Sequence, residues 1–181
     1  MNQVLIVTGP PGSGKTSVAL AICERFDRMV HVPVDELRHW VRAGYRHPWA
    51  NDAQAAEQLR MASDAAVALA RNAVGYRYSV IVDDVIVGAD AEAYRAGLAG
   101  LDADVQFVTL LPSLEASLER DATRGAASIP HRVRALHAEF ADAVSQERQP
   151  GAVLDTTADA DARATADRVQ DAIARGLARF G

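Results

Sequence analysis

The chain has 181 residues, 49% of them apolar and 24% charged, with a formal net charge of −5. That length suits one domain with a substantial core. The balance excludes a disordered chain, and the acidic charge gives no basis for sequence-independent nucleic-acid binding.

Val4-Leu5-Ile6-Val7 predicts a first strand, which passes directly into Gly9-Pro10-Pro11-Gly12-Ser13-Gly14-Lys15-Thr16. This is a complete phosphate-binding loop. Backbone N–H groups can close around a polyphosphate only where side chains are absent, hence Gly9, Gly12 and Gly14. A helix starting near Lys15 adds its unpaired donors and the positive end of its dipole. Lys15 then reaches the β- and γ-phosphates, and the Thr16 hydroxyl ligates Mg²⁺. With Ser13 and Ser17 these residues make the nucleotide-binding set. Lys15 is also the only lysine, against eighteen arginines. A compact ammonium suits this narrow loop better than a guanidinium fork. Val18, Ala19, Ile22 and Phe26 form the apolar stripe of the helix, and Cys23, the one cysteine, reads as core.

Met29 to Val34 predicts a second strand ending at Asp35, beyond the strand's C-terminal end, where open α/β sheets bind ligands. Asp35 is placed to accept the acceptor's hydroxyl proton or to cap the following turn, and the two are compatible. Arg38, Arg42 and Arg46 would share one side of a helix. They make either a solvated basic face or, through Arg38, a forked grip on the acceptor. Between residues 39 and 49 fall His39, Trp40, Tyr45, His47 and Trp49, interrupted by Gly44 and Pro48. This segment forms an acceptor pocket or cover, or else fixes the loop to the sheet edge.

Asn51 or Asp52 can cap a long helix to about Val74, with Leu59, Ala62, Ala66, Leu69, Ala70 and Ala73 facing inward. Tyr78 to Val82 predicts the third strand, ending at Asp83-Asp84. Asp83 fits the second nucleotide motif and Mg²⁺, with strand-end capping as the alternative. Asp84 follows where many motion-driving ATPases carry a Glu, which favours transfer to an organic acceptor over hydrolysis. Asp84 joins Asp35, Arg38, Trp40, Tyr45 and Trp49 as the acceptor-binding set.

Residues 90–100 predict a helix and Val105 to Leu111 a fourth strand. Pro112-Ser113 open a helix bearing Arg120 and Arg124, Gly125 to Pro130 break it, and His131, Arg132 and Arg134 open the next. Arginines on both sides of such a tip either stay solvated or close over a triphosphate as a lid, at about residues 120–137. Ala152 to Leu154 predicts a fifth strand ending at Asp155-Thr156-Thr157, and Asp159 to Phe180 a closing helix. Strand and helix alternate throughout, so a parallel sheet with helices on both faces is expected.

No apolar stretch approaches a membrane span, and the N-terminus enters a strand without a basic region or cleavage site. A cytoplasmic protein with no membrane partner is therefore expected.

The chain resembles the small-molecule kinases of the P-loop superfamily over nearly its whole length. Val34-Asp35, Ile81-Val82-Asp83-Asp84-Val85 with Gly88, and Leu154-Asp155-Thr156-Thr157 are similar to the chloramphenicol 3-O-phosphotransferase family. Gly44-Tyr45-Arg46 with Pro48-Trp49, and Arg120-Asp121-Ala122-Thr123-Arg124, look like a gluconate-kinase-like group. The resemblance implies a P-loop NTPase three-layer α/β/α sandwich of nucleoside monophosphate kinase type, with strand order 2-3-1-4-5 and a helical lid. It also implies Asp35 as general base, Arg124 against the adenine, Arg132 reaching the phosphates from the lid, and Asp155 to Thr157 bordering the base. Segment 39–49 departs from the chloramphenicol enzyme's pattern.

The expected function is transfer of the γ-phosphoryl group of ATP, with Mg²⁺, to a hydroxyl of a small molecule. The lone lysine excludes the usual guanine-reading motif, Asn/Thr-Lys-x-Asp. Two alternatives stand beside this: a phosphorylated-metabolite kinase in which Arg38 and Arg42 hold the acceptor phosphate, and a nucleotide-dependent module without turnover.

Overall fold

The computed structural model describes residues 2–50 and 52–181. Five strands pair in parallel in the order β2-β3-β1-β4-β5: β1 (Gln3–Thr8), β2 (Met29–Pro33), β3 (Ser79–Asp83), β4 (Asp104–Leu110) and β5 (Ala152–Leu154). This is the order expected from the nucleoside monophosphate kinase resemblance. The central strand β1 pairs Ile6 with Val82 on one side and with Phe107 on the other.

The period-two geometry of β1 sends its side chains alternately into two cores. Val4 and Ile6 pack with Val80, Val82 and Phe107 on one face, while Leu5 and Val7 pack with Ile81, Val108 and Leu110 on the other. Each such side chain is fully buried and stabilises the fold by roughly 1.5–3 kcal/mol. The first core is covered by α2 (Val34–Arg38), α3 (Ala53–Gly75) and α4 (Ala91–Leu98). The second is covered by α1 (Lys15–Cys23) and α7 (Ala162–Ala174). Between β4 and β5, α5 (Leu114–Ala122) and α6 (Pro130–Ser145) pack on each other and carry the segment expected to form a lid. No helix among the described residues is long and apolar enough to cross a membrane.

Four local expectations change. The helix after β2 stops at Arg38, so Arg42 and Arg46 share no helical face with it. Leu69 stays 40% exposed, because the inward stripe of α3 runs through Ala55, Gln58, Ala62, Ala66, Ala70 and Val74. Asp52 caps α3, its carboxylate accepting from Ala55 N at 2.8 Å, and Asn51 lies outside the described residues. The closing helix begins after Asp161, whose side chain caps it, and ends at Ala174. The tail then folds back, Phe107 N donates to Ala178 O at 2.7 Å, and Phe180 packs on Phe107.

Candidate active site

The loop between β1 and α1 is wedged between the C-terminal end of β4 and α5. A Cβ at Gly9 would collide with Leu110 O, and one at Gly12 with Ser117 O. Gly12 and Gly14 also hold φ values of +81° and +88°, which L side chains rarely adopt. The loop is therefore fixed from behind, and it is tightened within itself by Ser13 N donating to Pro10 O at 3.1 Å. Ser13 Oγ is buried in the loop without a hydrogen-bond partner among the described residues.

Lys15 Nζ donates to the carbonyls of Gly9 and Pro10 at 3.0 and 3.3 Å, folding the ammonium over the loop. The residue keeps part of its surface open to solvent, yet burial is the largest influence on the ammonium and lowers its pKa. The carboxylates of Asp83, Asp35 and Asp84 oppose that shift, and the Arg124 charge adds to it. All four groups therefore share an electrostatic neighbourhood with the loop lysine.

Thr16 Oγ1 donates to Asp83 Oδ2 at 2.5 Å, so the two expected Mg²⁺ ligands converge across 67 residues of sequence. Burial would raise the Asp83 carboxyl, but contacts with His31, Lys15 and Thr16 outweigh it and hold the pKa below its ordinary value. An ionised carboxylate and a hydroxyl oxygen suit Mg²⁺, which retains waters and phosphate oxygens for the rest of its shell. The residues present thus fit a nucleotide with Mg²⁺: a cradle that Cβ atoms would fill, an unpartnered buried hydroxyl, and paired hard oxygens.

On the α7 side of the loop a cleft of about 310 Å³ is lined by Ser13, Gly14, Ser17, Val18, Arg120 and Thr165. Arg120 Nη2 donates to Thr156 O at 3.0 Å, tying α5 to the turn after β5. In that turn Thr157 donates through N and Oγ1 to Asp155 Oδ1, which lowers the Asp155 pKa, and Thr157 Oγ1 accepts from Ser113 N. Thr156 is buried, and neither it nor Asp155 nor Thr157 lines the cleft. Arg124 is exposed at the end of α5 and does not line the cleft.

On the other side lies a cavity of about 420 Å³, touched by Pro11 of the loop, by Asp35 and Arg38 of α2, and by Arg132 of α6. Its aromatic wall is a chain of rings. Trp49 stacks on His47 at 4.6 Å, His47 meets Tyr45 edge-on at 5.4 Å, and Tyr45 lies 5.4 Å from His39. Two glutamines one turn apart on α3 hold this segment. Gln58 accepts from Arg46 N and donates to Gly44 O, and Gln54 donates to the same carbonyl. The i, i+4 spacing of Gln54 and Gln58 was visible in the sequence, but its target was not.

The structure therefore brings Asp35, Arg38, Tyr45, Trp49 and Arg132 together at one cavity and leaves two expected acceptor residues out. Trp40 is 68% exposed and sits instead at a separate depression with Leu69 and Tyr76, because α2 turns it outward past the edge strand. Asp84 is buried and its oxygens are committed, accepting from Arg38, from Val85 N and from Tyr94 OH at 2.8 Å. Its role here is to anchor Arg38. Burial raises the Asp84 pKa against the opposing pull of Arg38, and raises that of Tyr94 in turn.

The turn between α5 and α6, where a lid is expected, is organised by Asp121, fully buried at the end of α5. Its Oδ2 accepts from Ser128 Oγ and Ile129 N at 2.7 and 2.8 Å, closing the 125–129 turn. From the next helix the Arg132 guanidinium lies 5.9 Å from the Trp49 ring centroid, and Arg132 Nε is buried without a hydrogen-bond partner among the described residues.

The sheet order, the loop and the flanking helices together define a P-loop kinase-like fold. Residues 4–150 match the model of the AAA domain family AAA_33, and the chain belongs to that family. No curated protein matches the sequence. Among solved structures it is similar to the tunicamycin resistance protein of Deinococcus radiodurans, with 21% identity, 100% of this chain and 99% of that one covered, and TM-score 0.68. It is also similar to a sugar kinase from Janibacter sp. HTCC2649, with 15% identity, coverage of 99% and 100%, and TM-score 0.67. A third is the APS kinase CysC of Mycobacterium tuberculosis, solved with AMPPNP and APS, with 21% identity, coverage of 96% and 98%, and TM-score 0.62.

Proposed function

We propose that the protein is a kinase that moves the γ-phosphoryl group of ATP to a hydroxyl of a small molecule. The observation that carries this reading is a single cavity touching both Pro11 of the phosphate loop and Asp35, so that a donor and an alcohol can meet there. The solved kinases of the same fold add support.

In this mechanism the loop amides and Lys15 bind the β- and γ-phosphates, and the cleft near Arg120 takes the adenosine. Thr16 and Asp83 would hold Mg²⁺, which when bound neutralises developing phosphate charge. Asp35 orients the acceptor hydroxyl and takes its proton as the oxygen bonds to the γ-phosphorus. The bond from that phosphorus to the bridging oxygen breaks, and ADP leaves. Arg132, with no acceptor at Nε among the described residues, supplies charge to the migrating group from the lid. A cytoplasmic setting, where ATP is abundant, suits this chemistry.

The reading in which Arg38 and Arg42 hold an acceptor phosphate has less support. Arg38 is already engaged by two carboxylates, and Arg42 is exposed and does not line the cavity. A mass-shift screen of hydroxylated compounds with ATP and Mg²⁺ tests the proposal. A phosphorylated product is expected, whereas tight nucleotide binding without product across a broad panel would leave a binding module instead.

A further inference from the structure

We infer that the acceptor is a neutral, ring-bearing alcohol, not a sugar acid or a phosphorylated metabolite. This rests on the kinase reading of the same site and concerns what the cavity can accommodate.

The lining sets the chemistry. Beyond its four-ring wall, the cavity of about 420 Å³ is bounded by Leu59, Val85, Val87, Ile129 and Leu136. That volume falls in the range of sites that enclose small organic ligands, and stacked rings beside aliphatic groups favour a flat apolar body. A polyol would bring several hydroxyls against Val87, Ile129 and Leu136, where they would lose water without gaining partners.

Charge argues the same way. Asp35, Asp90 and Glu139 line the cavity against two arginines, Arg38 and Arg132. Arg38 is already engaged, its Nη2 held at 2.5 Å by Asp35 and at 3.1 Å by the buried Asp84, so an acidic acceptor would have to compete with two carboxylates for it although its Nε has no partner among the described residues. Arg132 is the remaining cation, and in transfer it faces the migrating phosphoryl group. A carboxylate or phosphate on the acceptor would therefore enter a site with more negative than positive side chains and compete for the one guanidinium that the reaction uses. Polar recognition of the acceptor then falls to hydroxyl donors at Asp35, Asp90 and Glu139 and to the tips of Tyr45 and the two histidines.

The chain has two tryptophans, and only Trp49 lines the cavity. In the full-length Trp40→Phe variant, Trp49 emission reports cavity occupancy independently of turnover. Three probes are titrated with the nonhydrolysable ATP analogue AMPPNP and Mg²⁺ present: 3-phenyl-1-propanol, gluconate and glucose 6-phosphate. The expected result is a saturable change with the phenyl alcohol at a dissociation constant at least about tenfold below that of either anion. Calorimetry should show the same preference in the wild-type chain and its loss in Trp49→Ala. Equal or tighter binding of gluconate or glucose 6-phosphate overturns the inference, and so does failure of the phenyl alcohol to bind. If the phenyl alcohol binds as expected but no acceptor in the screen is phosphorylated, the kinase reading fails and the cavity's preference stands.

Discussion

Asp35 and Arg38 form an ion pair of 2.5 Å in which the arginine is buried and the carboxylate is 73% exposed. The pair lies within one short helix, α2, and is anchored at its inner end by Asp84. It holds Asp35 at the cavity edge while leaving Asp35 Oδ2 free of any hydrogen bond among the described residues. Asp35→Asn should therefore lower the transfer rate by about 10²-fold or more while leaving nucleotide affinity unchanged. Because the side chain is exposed, unfolding stability should change by no more than about 0.5 kcal/mol. Stopped-flow transfer and equilibrium nucleotide titration on the same variant decide it, and equal losses in both would remove Asp35 as the base.

Lys15→Ala removes the ammonium that bridges Gly9 O and Pro10 O at the centre of the loop. Transfer should fall well beyond tenfold with the circular dichroism spectrum preserved. Activity retained within about tenfold, roughly 1.4 kcal/mol of barrier, would reject the assigned role.

Asp84→Ala leaves the Arg38 guanidinium buried with one partner, the exposed Asp35, and strips Tyr94 OH of its acceptor. Breaking a buried pair in this way costs about 3–5 kcal/mol, far more than the loss of a surface contact. Urea denaturation should show it, and a change under about 1 kcal/mol would mean that Asp84 anchors nothing.

The Asp83 carboxyl lies below its ordinary pKa in the folded chain. A depressed folded value stabilises the protein above the unfolded pKa, near pH 4, and that contribution disappears as pH falls through the folded value. Asp84 is shifted upward by burial and acts in the opposite sense, its contribution being fully present below about pH 4 and lost as pH rises through its folded value. Asp83→Asn should accordingly lose less stability than wild type between pH 7 and pH 3 in urea melts. An unchanged acid limb would assign the shift elsewhere.

Trp49→Ala should raise the acceptor KM at least about tenfold by removing the stacked end of the ring wall. Trp40→Ala, at a surface 68% exposed and outside the cavity, should leave both kcat and KM as they are. Steady-state kinetics with any acceptor found in the screen separates the two tryptophans. Similar effects from both would contradict the placement of Trp40.

The strands themselves and the loop were legible because each depends on neighbours in sequence: an apolar run, a glycine spacing, a carboxylate after a strand. The order of the strands was implied only by the kinase resemblance, since pairing such as that of Val4 with Val80 joins distant segments. What escaped depends on partners brought from afar. Arg38 reads as a free cation until β3 delivers Asp84 beside it from 46 positions away. Trp40 and Trp49 look alike in a segment dense with rings, and only the direction in which α2 ends tells them apart. The expected rank of Arg38, Arg42 and Arg46 failed for a local reason, since α2 ends at Arg38 and Gly44 then takes a φ of +73°. Tyr94 carries no motif, and nothing in its surroundings on α4 announces that its hydroxyl completes the Asp84 shell.

The manner in which Gln54 and Gln58 grip Gly44 and Arg46 has an evolutionary implication. The ring-bearing span is fastened to α3 by three hydrogen bonds to its own backbone and a fourth from Arg46 Nε to Gln54 Oε1, and none of the four involves the phosphate loop. On the kinase reading, drift within that span would retune which molecule is chosen while leaving the phosphate loop's own contacts intact, with Trp49, 5.9 Å from Arg132, as a point where the two meet. If the protein is the proposed kinase, a lineage built on this scaffold could exchange clients by changing this span alone, and grafting a foreign 39–49 segment between the same two glutamines is the shortest path to redirecting it.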